Sequence, residues 1–236
     1  MAVNVSLDEL VERGAHFGHQ SKRWNPKMSE YIYGEQDGVH IFDLVKTKAK
    51  LEEALEYLKE CKENGKVVLF VGTKKQAKEK VAEISKELGV PYITERWLGG
   101  LITNFGQIKK SITKLQKMRE EREKGEHAKF TKKERLLLDR EIDRLERFFG
   151  GLENLNGLPD ALFVIDSKKE FTAIREASAK GVKIVALVDT NSDPSLVDFP
   201  IPMNDDASKA LDYVLDIVKE TMASVKTKVA KDTKQK

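Results

Sequence analysis

Two segments of this 236-residue chain set tryptophan beside arginine, with asparagine and lysine close behind: SKRWNPKM (21–28) and ERWLGGLITNFGQIKK (95–110). Arginine and lysine neutralise phosphates, asparagine hydrogen-bonds sugars or base edges, and an indole can stack on a base. Gly99 and Gly100 would let backbone approach a ligand closely. The chemistry these types point to is recognition of RNA. A plainer use exists for the indoles, since Trp24 and Trp97 could anchor a core with arginine stacked outside.

Other groupings carry less. VGTKK (71–75) ends an apolar run on a Gly-Thr turn and opens a helix with two lysines, where a phosphate could rest on free amides. The chain holds neither G-x-x-x-x-G-K-[ST] nor a G-x-G-x-x-G after a strand, so an ordinary turn with exposed lysines explains it better. HFGH (16–19) with His40 has no Asp, Glu or Cys nearby to complete a metal site, and none is expected. Asp189, Asp193, Asp198, Asp205 and Asp206 follow a strand, where α/β proteins place ligands and where oxygen ligands could hold Mg²⁺. Turn and cap roles compete there: Asp193 precedes Pro194, and Asp205 or Asp206 would cap the last helix. No G-x-S-x-G, H-E-x-x-H or Cys–His pair appears, and nothing sets a nucleophile against a base. The expectation is no enzyme and no cofactor.

Charge is unevenly laid out. The net charge is only +3, but residues 107–149 hold 14 basic against 9 acidic residues, 150–218 hold 6 against 12, and 219–236 hold 6 against 2. A basic middle in a near-neutral chain is what a polyanion-facing element looks like. Cys61 is the only cysteine, so no intrachain disulfide can form and a reducing, cytoplasmic setting fits. The apolar runs VVLFV and IVALV are far shorter than the ~20 residues a bilayer requires, and no membrane association is expected.

The elements that must position these residues follow from periodicity. Ser6 and Glu9 read as a capping box for a helix over 7–14, 18–28 as loop, and YIYGEQDGVHIF (31–42) as a hairpin. Asp43 would cap a helix to about 64 and Thr73 one to about 88. VVLFVG, VPYIT, ALFVID, KIVALVD and an edge strand FPIPM alternate with helices, the last two helices falling near 168–180 and 206–225. This predicts an α/β sandwich with a parallel, flavodoxin-like sheet of order 2-1-3-4-5. Between the second and third strands, Phe105, Ile108, Ile112, Leu115 and Met118, then Leu138, Ile142, Leu145 and Phe149, recur at helical spacing, with Gly125 and Thr131 bracketing a turn. That pattern predicts an antiparallel coiled-coil hairpin over 105–149, inserted into an α/β domain of 1–104 and 150–225 and followed by a disordered basic tail, 226–236.

YIYGEQDGVHIFDL (31–44), RWLGGLITNF (96–105), PDALFVID (159–166) and VALVDTNSDPSLVDFPIPMNDD (185–206) resemble, in order, the signature stretches of bacterial small-subunit ribosomal protein S-two. The resemblance runs from about residue 3 to about 225. It implies a flavodoxin-like domain with a protruding coiled-coil hairpin, acting as a structural constituent of the small subunit between head and body. It implies binding of ribosomal RNA, contact with neighbouring ribosomal proteins and help in holding protein S-one, which captures messenger RNA. The implied state is cytoplasmic, ribosome-bound and monomeric within the ribosome. Carried over by segment, His19, Lys22, Arg23, Trp24, Asn25 and Lys27 would contact RNA, as would Arg96, Thr103 and Asn104, with Lys109 and Lys110 opening the arm. Trp97 and Leu98 are expected mainly to pack, and the acidic loop 189–206 to be structural.

Overall fold

Continuous apolar runs in the sequence become the interior of a five-stranded parallel sheet. The computed structural model describes residues 5–225; the basic tail 226–236 lies outside the described residues. In chain order the elements are α1 (Leu7–Glu12), β1 (Phe17–Gln20), β2 (Ile32–Gln36), β3 (Val39–Phe42), α2 (Leu44–Glu63), β4 (Val68–Val71), α3 (Lys78–Leu88), β5 (Tyr92–Ile93), α4 (Phe105–Glu123), α5 (Lys132–Phe149), β6 (Ala161–Val164), α6 (Phe171–Ala179), β7 (Lys183–Val188), β8 (Phe199–Pro202) and α7 (Ser208–Ala223).

The large sheet runs β5-β4-β6-β7-β8, all parallel, which is the 2-1-3-4-5 order expected of a flavodoxin-like fold. Every residue of β4 and β6 is buried, because helices cover both faces. Period-two alternation divides each strand between two cores. Val68 and Phe70 join the cluster under α2, α3 and α7, with Leu51, Leu58, Ile84 and Val214. Leu69 and Val71 face the other way, onto Ala173 and Ile174 of α6. That helix is short, and Trp97, Leu101, Ile102, Ile108, Met28 and Phe42 complete the second layer. β8 is an edge strand, as Pro200 and Pro202 require. The Met203 amide donates to the Val188 carbonyl, so residues 199, 201 and 203 face β7 and both prolines face outward. The outward Pro202 carbonyl accepts the Thr47 hydroxyl of α2 at 2.6 Å.

A second, antiparallel sheet of order β1-β3-β2 carries the predicted hairpin, turned by Asp37 and Gly38 at φ of 52° and 77°. Residues 17–20, expected partly as loop, form its third strand, pairing Phe17 with Ile41 and Gln20 with Val39. β1 lies so close to the loop after β7 that a Cβ on Gly18 would stand 2.5 Å from Thr190.

Three capping expectations and one helix start are corrected by the structure. At Ser6 only half of the box forms, because the Glu9 carboxylate takes Arg13 instead. α3 starts at Lys78, with Ala77 at its N-cap, since the Thr73 hydroxyl is bonded to Glu170. α6 starts at Phe171, three residues later than expected. α7 starts at Ser208 after Ala207, and neither Asp205 nor Asp206 caps it.

α4 and α5 pack through Leu115, Met118, Ile142 and Leu145. Ion pairs Arg119–Glu146 at 2.7 Å and Arg122–Asp139 at 4.0 Å advance along α4 while stepping back along α5, so the two helices run in opposite directions. Gly125 at φ 73° and a short 3-10 turn reverse the chain, and Thr131 with Glu134 forms a full capping box. At the base, a Cβ on Gly151 would stand 2.3 Å from the Tyr92 carbonyl oxygen, so the chain leaving α5 seals the β5 edge.

Candidate nucleic-acid interface

The first basic-aromatic segment is shaped by two 3-10 turns that follow β1. Asn25 accepts the Lys27 amide at 3.0 Å, and its own amide donates to the Thr190 carbonyl at 2.7 Å. These bonds fix the segment beside the loop that leaves β7. Trp24 is 38% exposed, with its ring centroid 5.1 Å from that of His40. Lys22 and Arg23 are exposed and form no ion pair among the described residues. Lys27 differs, since its ammonium sits 2.6 Å from Asp193 and 2.9 Å from the Ser195 hydroxyl. His19 turns inward: its Nδ1 is 2.9 Å from Asp189, and its amide donates to the Thr190 hydroxyl at 2.8 Å.

The second segment is built around one carboxylate that the sequence reading did not single out. Glu176 of α6 accepts from the Trp97 indole at 3.1 Å and the Gly100 amide at 2.8 Å through Oε1. Its Oε2 accepts from the Ile102 and Thr103 amides, both at 3.2 Å, and the Thr103 hydroxyl at 3.0 Å. Burial pushes this carboxyl up, but the amide and indole donors outweigh it and hold it below the ordinary carboxylate range. Gly100, at φ 89°, is the residue that lets the loop curl around the carboxylate. Trp97 is buried, as the packing expectation had it.

Thr103 is therefore engaged within the fold, whereas Arg96 and Asn104 are exposed. Asn104 sits at the N-cap position of α4 without a side-chain cap bond. Lys109 and Lys110 are exposed and free of ion pairs among the described residues, in contrast to Lys114 and Arg119 further along α4. No hydrogen bond or ion pair joins the two segments among the described residues. They are related through packing, since Met28, Tyr31, Trp97 and Leu101 share one apolar cluster.

A third group lies at the carboxyl ends of the strands. Lys74, which follows β4, stands 2.5 Å from Asp205, 2.7 Å from Asp206 and 3.5 Å from Asp166. Its ammonium is enclosed by carboxylates, which leaves it unsuited to a phosphate. Asp189 is fully buried and takes the Thr190 amide, the Asp205 amide and His19. Asp193 caps its 3-10 turn, and Asp198 takes Lys183 and the Ile184 amide. The acidic loop thus has partners inside the fold at every one of these positions. The counter-charge on Lys74 was not assigned from sequence; five aspartates between 189 and 206 were the signal that a buried cation was needed.

The cluster sets a pH dependence. Burial and the charges of Asp189 and Asp166 push Asp205 up to about 7, against the pull of Lys74. The hydrogen bond to Asp189 raises His19, with burial opposing it. Burial acts to raise Asp189 as well, but His19 and the two amides lower it overall. His19 and Asp205 hold protons more tightly folded than unfolded, so the stability they give is lost as pH rises through their folded values. Asp189 works in the opposite sense, and its contribution is lost only as pH falls below the usual carboxylate range. The thermal unfolding midpoint should be highest in mild acid and fall between roughly pH 5 and 8. Circular dichroism at a series of pH values checks this, and His19→Asn should flatten the fall. A midpoint insensitive to pH over that window would refute the assignment.

The family model described as Ribosomal protein S2 matches residues 10–224. The chain belongs to the ribosomal protein S-two family. Curated members named small ribosomal subunit protein uS2 are similar over nearly its whole length. That of Chlorobaculum tepidum is 47% identical over 227 residues, covering 96% of this chain and 91% of the relative. That of Porphyromonas gingivalis ATCC 33277 is 48% identical over 211 residues, covering 89% and 75%. That of Roseiflexus is 49% identical over 207 residues, covering 88% and 79%. No helix among the described residues is long and apolar enough to cross a membrane.

Proposed function

We propose that this chain, a ribosomal protein of the small subunit, is a structural component that binds ribosomal RNA through its two basic-aromatic segments and performs no catalysis. One observation carries the reading. Lys22, Arg23, Arg96, Lys109 and Lys110 are exposed and unpaired among the described residues, while Lys27, Lys74, Lys114 and Arg119 are each matched to carboxylates. Unmatched cations beside the half-exposed Trp24 are free to displace counterions from phosphates. Lys27 and His19 support the surface from behind. The α/β body, 1–104 with 150–225, and the helical arm, 105–149, are read as one RNA-facing unit within a cytoplasmic ribosome.

Affinity for small-subunit ribosomal RNA should fall steeply with salt. The double variant Lys109→Ala, Lys110→Ala should flatten the slope of log affinity against log salt by about 2, roughly 1 per lysine. Filter binding between low and high salt measures it. An unchanged slope in the double variant would remove α4 from the interface, and a salt-independent wild type would end the reading. Docking of protein S-one rests on the family resemblance. Sedimentation of lysate through a sucrose gradient, with and without S-one, tests it together with comigration on the small subunit.

A further inference from the structure

The outward face of α6 carries a ring and a cation that neither the packing nor the interface above uses. Phe171 is 46% exposed. The Arg175 guanidinium carbon lies 5.6 Å from its ring centroid, and no other partner of Arg175 is recorded among the described residues. Phe171, Thr172, Arg175 and Glu176 line a shallow hollow of about 260 Å³. That is smaller than the clefts that hold drug-sized ligands, and it is of the size to take one planar group. The hollow abuts the 97–103 loop through Glu176, whose carboxylate is already held by that loop.

The surrounding charge narrows the ligand. Neither glutamate of this stretch is a free surface charge: Glu170 is buried on the Thr73 hydroxyl, and Glu176, half-buried, is held in its ring of donors. Lys168 and Arg175 are exposed and form no ion pair among the described residues. A protein partner seated on an apolar face would require more than a single ring, and here Arg175 stands one turn on from Phe171 along α6, with Lys168 in the turn that precedes the helix. A ring with an arginine beside it on a cationic ground suits a nucleotide, because every nucleotide joins a base with a π-face to an anionic phosphate.

We propose that the Phe171–Arg175 hollow is a stacking subsite for one unpaired base of RNA. The base lies on the Phe171 ring, the Arg175 guanidinium meets its flanking phosphate, and the Thr172 hydroxyl faces its edge. The subsite extends the surface that begins at Arg96 and α4 onto α6, and it rests on the RNA-binding reading given above.

Filter binding of the full chain to small-subunit ribosomal RNA tests it, with Phe171→Ala, Phe171→Leu, Phe171→Trp and Arg175→Ala. Phe171→Ala and Phe171→Leu should each weaken binding by roughly 5- to 100-fold, while Phe171→Trp holds the wild-type affinity. Arg175→Ala should weaken binding and flatten the salt slope by about 1. All four should unfold at the wild-type midpoint, because the substituted side chains are exposed. Wild-type affinity in Phe171→Leu would make the contact merely apolar and overturn the stack. Intact RNA affinity in Phe171→Ala, with poorer incorporation into the subunit, would assign the ring to a protein neighbour and overturn it too. If Phe171→Ala has no effect while the Lys109, Lys110 double variant still weakens binding, the subsite fails and the interface stands. If neither weakens binding, both fall together.

Discussion

Lys74→Met should lower the unfolding free energy at pH 7 by about 3–5 kcal/mol, the usual cost of removing one partner from a buried ion pair. The lysine is only 12% exposed and stands against Asp205, which is 2% exposed, and Asp166, which is 15% exposed. Asp206 is 55% exposed and adds little. Without the cation, Asp205 stays buried beside Asp189 and must either hold its charge uncompensated or take up a proton. The penalty should shrink in acid, where Asp205, already pushed up to about 7, takes a proton. Adding Asp205→Asn should recover part of the loss for the same reason. Urea denaturation at pH 5 and pH 7 measures all of this. A loss below about 1 kcal/mol at pH 7 would mean that water screens the cluster as it does a surface pair.

Glu176→Ala should cost a similar amount, about 3–5 kcal/mol, by a different route. It leaves the Trp97 indole and the amides of Gly100, Ile102 and Thr103 without their acceptor. An unsatisfied buried donor costs about 1–3 kcal/mol, and the exposed side of the loop recovers some of that from water. Glu176→Gln keeps the shape but offers one acceptor oxygen and loses the charge, so it should fall between the two. Beyond stability, the loop that presents Arg96 and Asn104 should loosen. Trp97 emission should shift to the red, proteases should cut within 97–104, and RNA affinity should drop. A Glu176→Ala chain with wild-type stability and unshifted emission would show that the second apolar cluster alone holds the loop.

Those two side chains also mark where sequence reasoning stops. The strands of the large sheet were legible because runs such as VVLF and ALFV have no polar position and short length, which only a strand buried on both faces accommodates. The stripe Leu115, Met118, Ile142, Leu145 was legible for the same local reason, here a helical period. β1 was missed because FGHQ is half-exposed and polar, and its pairing with β3 is decided about twenty residues away. The caps assigned to Thr73 and to Asp205 or Asp206 failed because these side chains found stronger partners, Glu170 for the threonine and Lys74 for the aspartates, more than 90 residues distant. At the interface, residue types pointed to Lys22, Arg23 and Lys109. Only the folded arrangement separates them from Lys27, whose charge Asp193 already meets.

The two borders of the large sheet decide how this chain behaves when several copies meet. On the β8 side, the outward positions are prolines, which have no N–H to offer, and the Pro202 carbonyl is occupied by Thr47. On the β5 side, the strand has only two residues, with Gly151 pressed against the Tyr92 carbonyl. Neither border presents the row of free donors and acceptors that recruits a foreign strand. Chains made in excess of their binding partners can therefore crowd together without stitching their large sheets into a common ladder.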